Sequence, residues 1–214
     1  MDKKKIIKAL SQARESAKKR NFAQSVELIV NFKGLDLKKP DHQMDFFMQI
    51  KHPWKEKKVC GIIGPELAES GKALTKVVIS DELADFKDKR DIKRLAREFD
   101  FFVAQANLMP KIAQTFGRYF GPVNKMPNPK AGCVVPPNAN LAQVQERLNK
   151  TIRILVKTIP LYMIGVGKDS SSDEDMADDI LSIYSQIEHH LPAERQNIKS
   201  VYIKLTMGKP VRLA

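Results

Sequence analysis

The chain is poor in cysteine: Cys60 and Cys133 are the only two in 214 residues, and they share no paired motif. A disulfide framework is excluded, and a reducing, cytoplasmic setting is expected. Long apolar runs are also missing, since no stretch approaches the roughly eighteen residues a membrane span needs. Met1–Lys5 followed by Ile6-Ile7 repolarises too soon to read as a secretory leader. There is no G-x-G-x-x-G. Gly64 and Gly71-Lys72-Ala73 imitate a phosphate loop, but six residues separate the glycines and Ala73 lacks the hydroxyl that magnesium requires. Gly165-Val-Gly167-Lys168 has no earlier glycine at the needed spacing. Asp173, Asp175 and Asp178 invite a calcium loop, yet the turning glycine is absent and Tyr184 stands where a bidentate glutamate belongs. His189 and His190 are adjacent, a spacing at which two imidazoles do not easily share a metal. No serine elbow or Cys–His arrangement is legible. The expectation is a protein with no cofactor, no metal and no catalysis.

What the chain has is positive charge. Lys plus Arg number 37 against 25 Asp plus Glu, a net charge of +12. That balance favours a polyanionic partner, nucleic acid before any other. The charge is uneven: residues 1–55 carry +7, 56–149 carry +4 and 150–214 carry +1. Phosphate contact is therefore expected on the unit that holds the N-terminal segment.

Periodicity divides the chain in the same way. Ile6, Leu10, Ala13 and Ala17 predict an amphipathic helix over Lys3–Lys19 with a basic outer face of Lys4, Lys5, Lys8, Lys18 and Lys19. Val26, Leu28, Val30 and Phe32 alternate, which predicts a strand, and a second β-like run covers Met44–Lys51 until Pro53 breaks it. From Lys58 the texture changes. The short apolar strands Val59–Ile63, Lys76–Ile79 and Phe101–Ala104 alternate with helices at Glu66–Gly71, Ile92–Glu98 and Met109–Phe116. This is the pattern of a parallel sheet covered on both faces. Gly117–Pro137, with five prolines, reads as a long irregular loop, and a helix over Asn140–Asn149 starts at a cap of Asn138 or Asn140. Strands at Thr151–Val156 and Leu161–Val166 follow. Ser172 and Asp175 form a capping-box pattern before a helix through Ile187, and Ile198–Leu205 is a final strand. The reading is a discontinuous α+β outer domain of split β-α-β type, made of 1–55 and 150–214. Inserted in it is an α/β three-layer, Rossmann-like domain, 56–149.

Three segments carry a family resemblance. They are Arg20-Asn21-Phe22-Ala-Gln-Ser25-Val-Glu27, Gly121-Pro122-Val-Asn-Lys125-Met126-Pro127-Asn128-Pro129-Lys130-Ala-Gly132, and Ser200-Val-Tyr202-Ile-Lys204-Leu-Thr206-Met207-Gly208-Lys-Pro210. In this order and at these distances the chain resembles the L-one family of ribosomal proteins, which sits on the mobile stalk of the large subunit. Phe101-Phe102-Val-Ala-Gln105-Ala-Asn107-Leu-Met109-Pro110 extends the likeness through the middle of the chain. The lysine of Lys125-Met126-Pro127 and the compact length look more archaeal than bacterial. The chain departs at Val123-Asn124, where the family commonly has Arg-Gly, so a basic side chain is missing from that loop.

The resemblance implies binding to large-subunit ribosomal RNA and a part in releasing deacylated tRNA from the exit site. It also implies repression of the protein's own messenger, by a protein that is monomeric when free and works in the cytoplasm. It places RNA contacts at Arg20, Asn21, Phe22, Ser25, Glu27, Ser200, Thr206, Met207 and Gly208. The residue chemistry suits this. Phe22 can pack on ribose or a base, and Ser25 and Glu27 share a strand face opposite Val26 and Leu28. Thr206 offers a hydroxyl and Met207 an adaptable apolar surface. Gly208 allows unusual dihedrals and close backbone approach. Ser200 has an even offset from Thr206 on one strand, hence the same face. The competing function is an α/β enzyme acting on a nucleotide or phosphorylated substrate.

Overall fold

The computed structural model describes residues 1–84, 86 and 88–213. The chain divides into two compact units, 1–55 with 152–214 and 56–151.

In the first unit a helix α1 (Lys3–Ser16) buries Ile6, Ala9, Leu10 and Ala13. It stops three residues before the expected end. Ala17 is already extended at ψ 136°, and no apolar residue follows at helical spacing to reward another turn. Lys18 and Lys19 therefore lie on the linking segment and not on the helix. Strand β1 (Ser25–Phe32) comes next, with Val26, Leu28, Val30 and Phe32 turned inward. It sits between two later strands, β8 (Leu161–Lys168) and β9 (Ile198–Leu205), and is antiparallel to both. A short strand β10 (Val211–Arg212) completes the sheet in the order β10-β9-β1-β8. A helix α6 (Asp173–His190) links β8 to β9 and packs on α1. Met176, Ile180, Ile183 and Ile187 of α6 close one core with Ile6, Leu10, Leu28 and Val201. Two ion pairs join the helices, Lys3 to Asp178 at 2.6 Å and Arg14 to Asp173 at 2.8 Å.

Ser172 does stand at the N-cap of α6, but its side chain makes no capping bond, so the expected capping box does not form. Asp173 has turned to Arg14, which also donates to the Ser171 carbonyl at 2.8 Å. The acidic first turn, Asp173, Glu174 and Asp175, complements the helix dipole instead. Strands β2 (Met44–Gln49) and β7 (Thr151–Val156) form a separate two-stranded sheet. On it Asp45 receives Arg153 Nε at 2.8 Å, Arg153 Nη2 at 2.9 Å and Lys157 Nζ at 2.8 Å.

The second unit holds a parallel sheet ordered β4-β3-β5-β6, built from β3 (Val59–Ile63), β4 (Lys76–Ile79), β5 (Phe101–Gln105) and β6 (Val134–Val135). Cys60, Ile62, Phe102 and Ala104 pack against helices α3 (Lys89–Glu98) and α4 (Met109–Phe120). Ile63, at an alternate position, points toward the short helix α2 (Ala68–Gly71), where an added Cβ on Gly71 would lie 2.9 Å from it. Helix α5 (Leu141–Lys150) packs on α2 and is capped by Asn140, whose side chain accepts from the amides of Ala142 and Gln143.

The segment expected to be one irregular loop from Gly117 is more ordered than proline content suggests. Helix α4 runs on to Phe120 because Phe120 stacks on Phe116 at 4.9 Å and meets Phe102 at 4.3 Å inside the core. Lys125 Nζ donates to the Phe99 carbonyl at 2.6 Å, and Asn128 closes a tight turn by accepting from Lys130 N–H at 2.9 Å. Val134 and Val135 then pair with β5 as a fourth strand. Gly132, at φ 69°, takes a conformation that side chains resist, and the Arg147 guanidinium lies over it, donating to its carbonyl at 2.8 Å.

Candidate nucleic-acid interface

Two of the three motif segments meet at one end of the antiparallel sheet. Val26 faces Leu205 across the β1–β9 ladder, so Ser25 and Thr206 lie at its last rung. Thr206 Oγ1 accepts the Ser25 N–H at 3.2 Å and donates to the Ser25 carbonyl at 3.2 Å, while Thr206 N–H donates to the same carbonyl at 3.0 Å. The Thr206 donor is thus engaged within the protein. It locks two segments 181 residues apart in sequence, and a nucleic acid can address only its remaining acceptor capacity.

Past this lock the chain turns sharply, with Gly208 N–H donating to the Leu205 carbonyl at 2.8 Å. Gly208 has no positive φ, contrary to the expectation of unusual dihedrals. What it supplies is space: an added Cβ would lie 3.2 Å from the Leu205 Cβ, a tight approach. The turn puts Met207 out at 62% exposure, and Phe22, on the segment leading into β1, is 56% exposed. These are large apolar groups with no core contact to explain them. Arg20 and Asn21 are exposed on the same segment.

A residue that the sequence reading missed ties these parts together. Gln24 is 4% exposed, and its side chain donates to the Lys18 carbonyl at 3.3 Å and accepts Met207 N–H at 3.1 Å. Its own carbonyl accepts from Asp169 N–H at 2.9 Å. One buried residue, by its side-chain amide and its main-chain carbonyl, therefore sets the basic link, the Thr206–Gly208 turn and the β8–α6 connection in register. The available signal was a lone glutamine inside an otherwise small or aromatic stretch before an alternating strand, which carries no specific chemistry by itself. Beside it lies a groove of about 450 Å³ lined by Arg14, Lys18, Lys19, Arg20, Gln24 and Asp169, among others.

Glu27 points to the open face of the sheet, opposite Lys204, and their charged atoms lie 3.8 Å apart. That lysine offsets a carboxylate that would otherwise repel phosphate. On its other side Glu27 faces Gly165, whose missing side chain leaves room for the Trp54 ring; Trp54 Nε1 donates to the Gly165 carbonyl at 2.7 Å. Ser200 does not join the cluster. It shares the face of Thr206, but six residues along β9 put it about 20 Å away. It is 7% exposed, with its hydroxyl accepting the Asn31 amide at 3.0 Å.

The parallel sheet of the second unit offers no open crevice for a mononucleotide at its switch point. Gln105, 1% exposed, accepts the Gly64 N–H at 2.8 Å at the carboxyl ends of β3 and β5, between the strands where the sheet order reverses. Ligands of such sheets enter there, and this chain fills the place with its own amide. Burial pushes the Cys60 thiol up to about 12 and Cys133 up to about 11, so neither is a nucleophile at neutral pH. Among the described residues no helix is long and apolar enough to cross a membrane.

The comparison with known proteins gives the family. Residues 13–209 match the model of the ribosomal protein L1p/L10e family. The chain belongs to that family. It is similar to the large ribosomal subunit protein uL1 of Pyrococcus horikoshii, 41% identical over 99% of this chain and 96% of that one. To the uL1 of Methanothermococcus thermolithotrophicus it is 39% identical over 100% and 99%, and to that of Methanocaldococcus jannaschii 36% identical over 100% and 96%. L1-family proteins are structural and not enzymes, so the enzyme alternative falls.

Proposed function

We propose that this protein is a structural component of the large ribosomal subunit that holds the ribosomal RNA of the mobile stalk in the cytoplasm. The observation that carries the reading is the joining of segments 18–25 and 206–208 through the Ser25–Thr206 lock and the Gln24 bonds to Lys18 and Met207, with Phe22 and Met207 exposed on them. Aromatic and thioether surface next to cations suits a folded RNA with splayed bases and close phosphates. Arg20, Asn21, Phe22, Ser25, Glu27, Thr206, Met207 and Gly208 form the contact surface. Ser200 supports the sheet through Asn31 and is assigned a secondary place.

The same surface would serve a messenger structure that mimics the ribosomal one, which makes the protein a repressor of its own translation. Seated on the stalk, it would assist release of deacylated tRNA from the exit site. Free of RNA, it is a monomer. The connection β8-α6-β9, with β1 between the two strands, supports a split β-α-β outer domain. The order β4-β3-β5-β6 supports a Rossmann-like inserted domain.

The test is competition binding of the full chain between a stalk fragment of ribosomal RNA and unrelated RNA of equal length. For roughly four to six phosphate contacts the log–log salt slope should be about −3 to −5, with selectivity kept at moderate salt. A chain of residues 1–55 joined to 152–214 by a short glycine linker should fold and keep that selectivity. Equal affinity for both RNAs across the titration would overturn the proposal.

A further inference from the structure

We propose that the outer face of α3, in the inserted unit, is a second RNA-contacting surface that takes the phosphate backbone of an RNA helix. At about 100° per residue, Arg90, Lys93, Arg94 and Arg97 fall within an arc of about 100°. The buried Ile92, Leu95 and Ala96 lie on the opposite side. The two acidic residues of the helix, Asp91 and Glu98, fall on one flank, so the outermost line carries cations alone. The four cations and Glu98 border an open hollow of about 580 Å³.

The pattern works against the helix itself. Arg90 with Lys93, Arg90 with Arg94, Lys93 with Arg97 and Arg94 with Arg97 are all neighbours at i, i+3 or i, i+4, and like charges at these spacings repel. A surface helix kept only for solubility would interleave carboxylates. Here the ion pair that Arg94 makes runs sideways, to Asp91 at 3.2 Å, with the Arg94 side chain 79% exposed. An anion lying along the stripe relieves the repulsion.

The chemistry favours RNA over an acidic protein. Three of the four cations are arginines, whose planar fork matches phosphate oxygens. From Arg90 to Arg97 the stripe runs about 10 Å along the helix axis, long enough to meet more than one phosphate of a strand. The apolar residues of α3 are all turned inward, leaving no apolar centre for a protein interface. The inference rests on the RNA-binding reading only for the identity of the polyanion; the site and its elements are separate.

The experiment uses the full chain and three probes: a 24-base-pair RNA duplex of arbitrary sequence, the stalk fragment, and polyglutamate. The variant R90Q/K93Q/R94Q/R97Q should bind the duplex about ten- to a hundredfold more weakly at 50 mM salt, with a salt slope shallower by about three. Its melting temperature should hold or rise, since the like-charge pairs are gone. R90K/R94K/R97K should keep most of the slope. Selectivity for the stalk fragment should survive in the glutamine variant, because it resides on the outer unit. A wild-type chain lacking that selectivity, with the duplex arm behaving as expected, would sink the outer-site reading and leave this one standing. Unchanged duplex affinity and slope in the glutamine variant would overturn the α3 proposal. Equal competition by polyglutamate would transfer the surface to an acidic protein and overturn it as an RNA site.

Discussion

The Thr206 hydroxyl and the Ser25 backbone hold each other twice, once as acceptor and once as donor, both at 3.2 Å. The Ser25 carbonyl takes a further bond from Thr206 N–H at 3.0 Å. The end of the sheet where the two motif segments meet is therefore closed by a side chain.

Thr206→Val should cost about 1 kcal/mol of stability, since the β-branched shape stays but the hydroxyl bonds are lost. RNA affinity should fall as well, because the Thr206–Gly208 turn is no longer held to β1. Thermal melts and dissociation constants on the same variant check this. Full stability with normal affinity would show that the lock is dispensable.

Gln24→Ala should destabilise by about 1–3 kcal/mol, leaving the Met207 amide without its partner in a closed setting. The expected signature is faster hydrogen exchange at the Met207 amide together with weaker RNA binding. Gln24 is buried and meets RNA only through what it positions. Exchange at Met207 unchanged from the parent would remove Gln24 from its organising role.

Phe22→Ala and Met207→Ala should leave the melting temperature almost unmoved, within about 0.5 kcal/mol, because both side chains are over half exposed. Loss of base or ribose packing should weaken binding by about 1–3 kcal/mol for Phe22, and by less for Met207. If both variants bind like the parent, the exposed pair is not a contact surface.

Asp45 supplies a pH dependence. Arg153 and then Lys157 hold its carboxyl down, from the ordinary 3.8 to about 2. The unfolded chain takes up this proton first as acid is added, so the stability contributed by the cluster is complete above about pH 4 and is lost as pH falls toward 2. Asp45→Asn should flatten the stability curve across that window in acid titrations followed by circular dichroism. A parent and variant with parallel curves there would contradict the assignment.

Much of the architecture was legible because burial leaves a period. The alternation in Val26–Phe32 and in Val201–Leu205 marked strands with one wet face, and the continuous run Val59–Ile63 marked a strand covered on both. The basic link and the Phe22 and Thr206–Gly208 segments were visible as residue types. The extent of α4 was not, because proline and glycine content signals turns locally, while Phe120 is held by ring contacts to Phe102 that no local pattern encodes.

What the sequence determined by itself is the longer helices and strands, though not the two-residue strands β6 and β10, the sign and uneven placement of charge, and the candidates for contact, all of them properties of one residue or of a short window. The tertiary structure decided which of those candidates share a surface. It brought Thr206 onto Ser25 and Met207 onto Gln24, left Ser200 about 20 Å along the strand with Asn31, and gave Gly208 an ordinary φ in a crowded turn. Pairing across 181 residues depends on strand register, and register is set by the whole core packing against one face of the sheet.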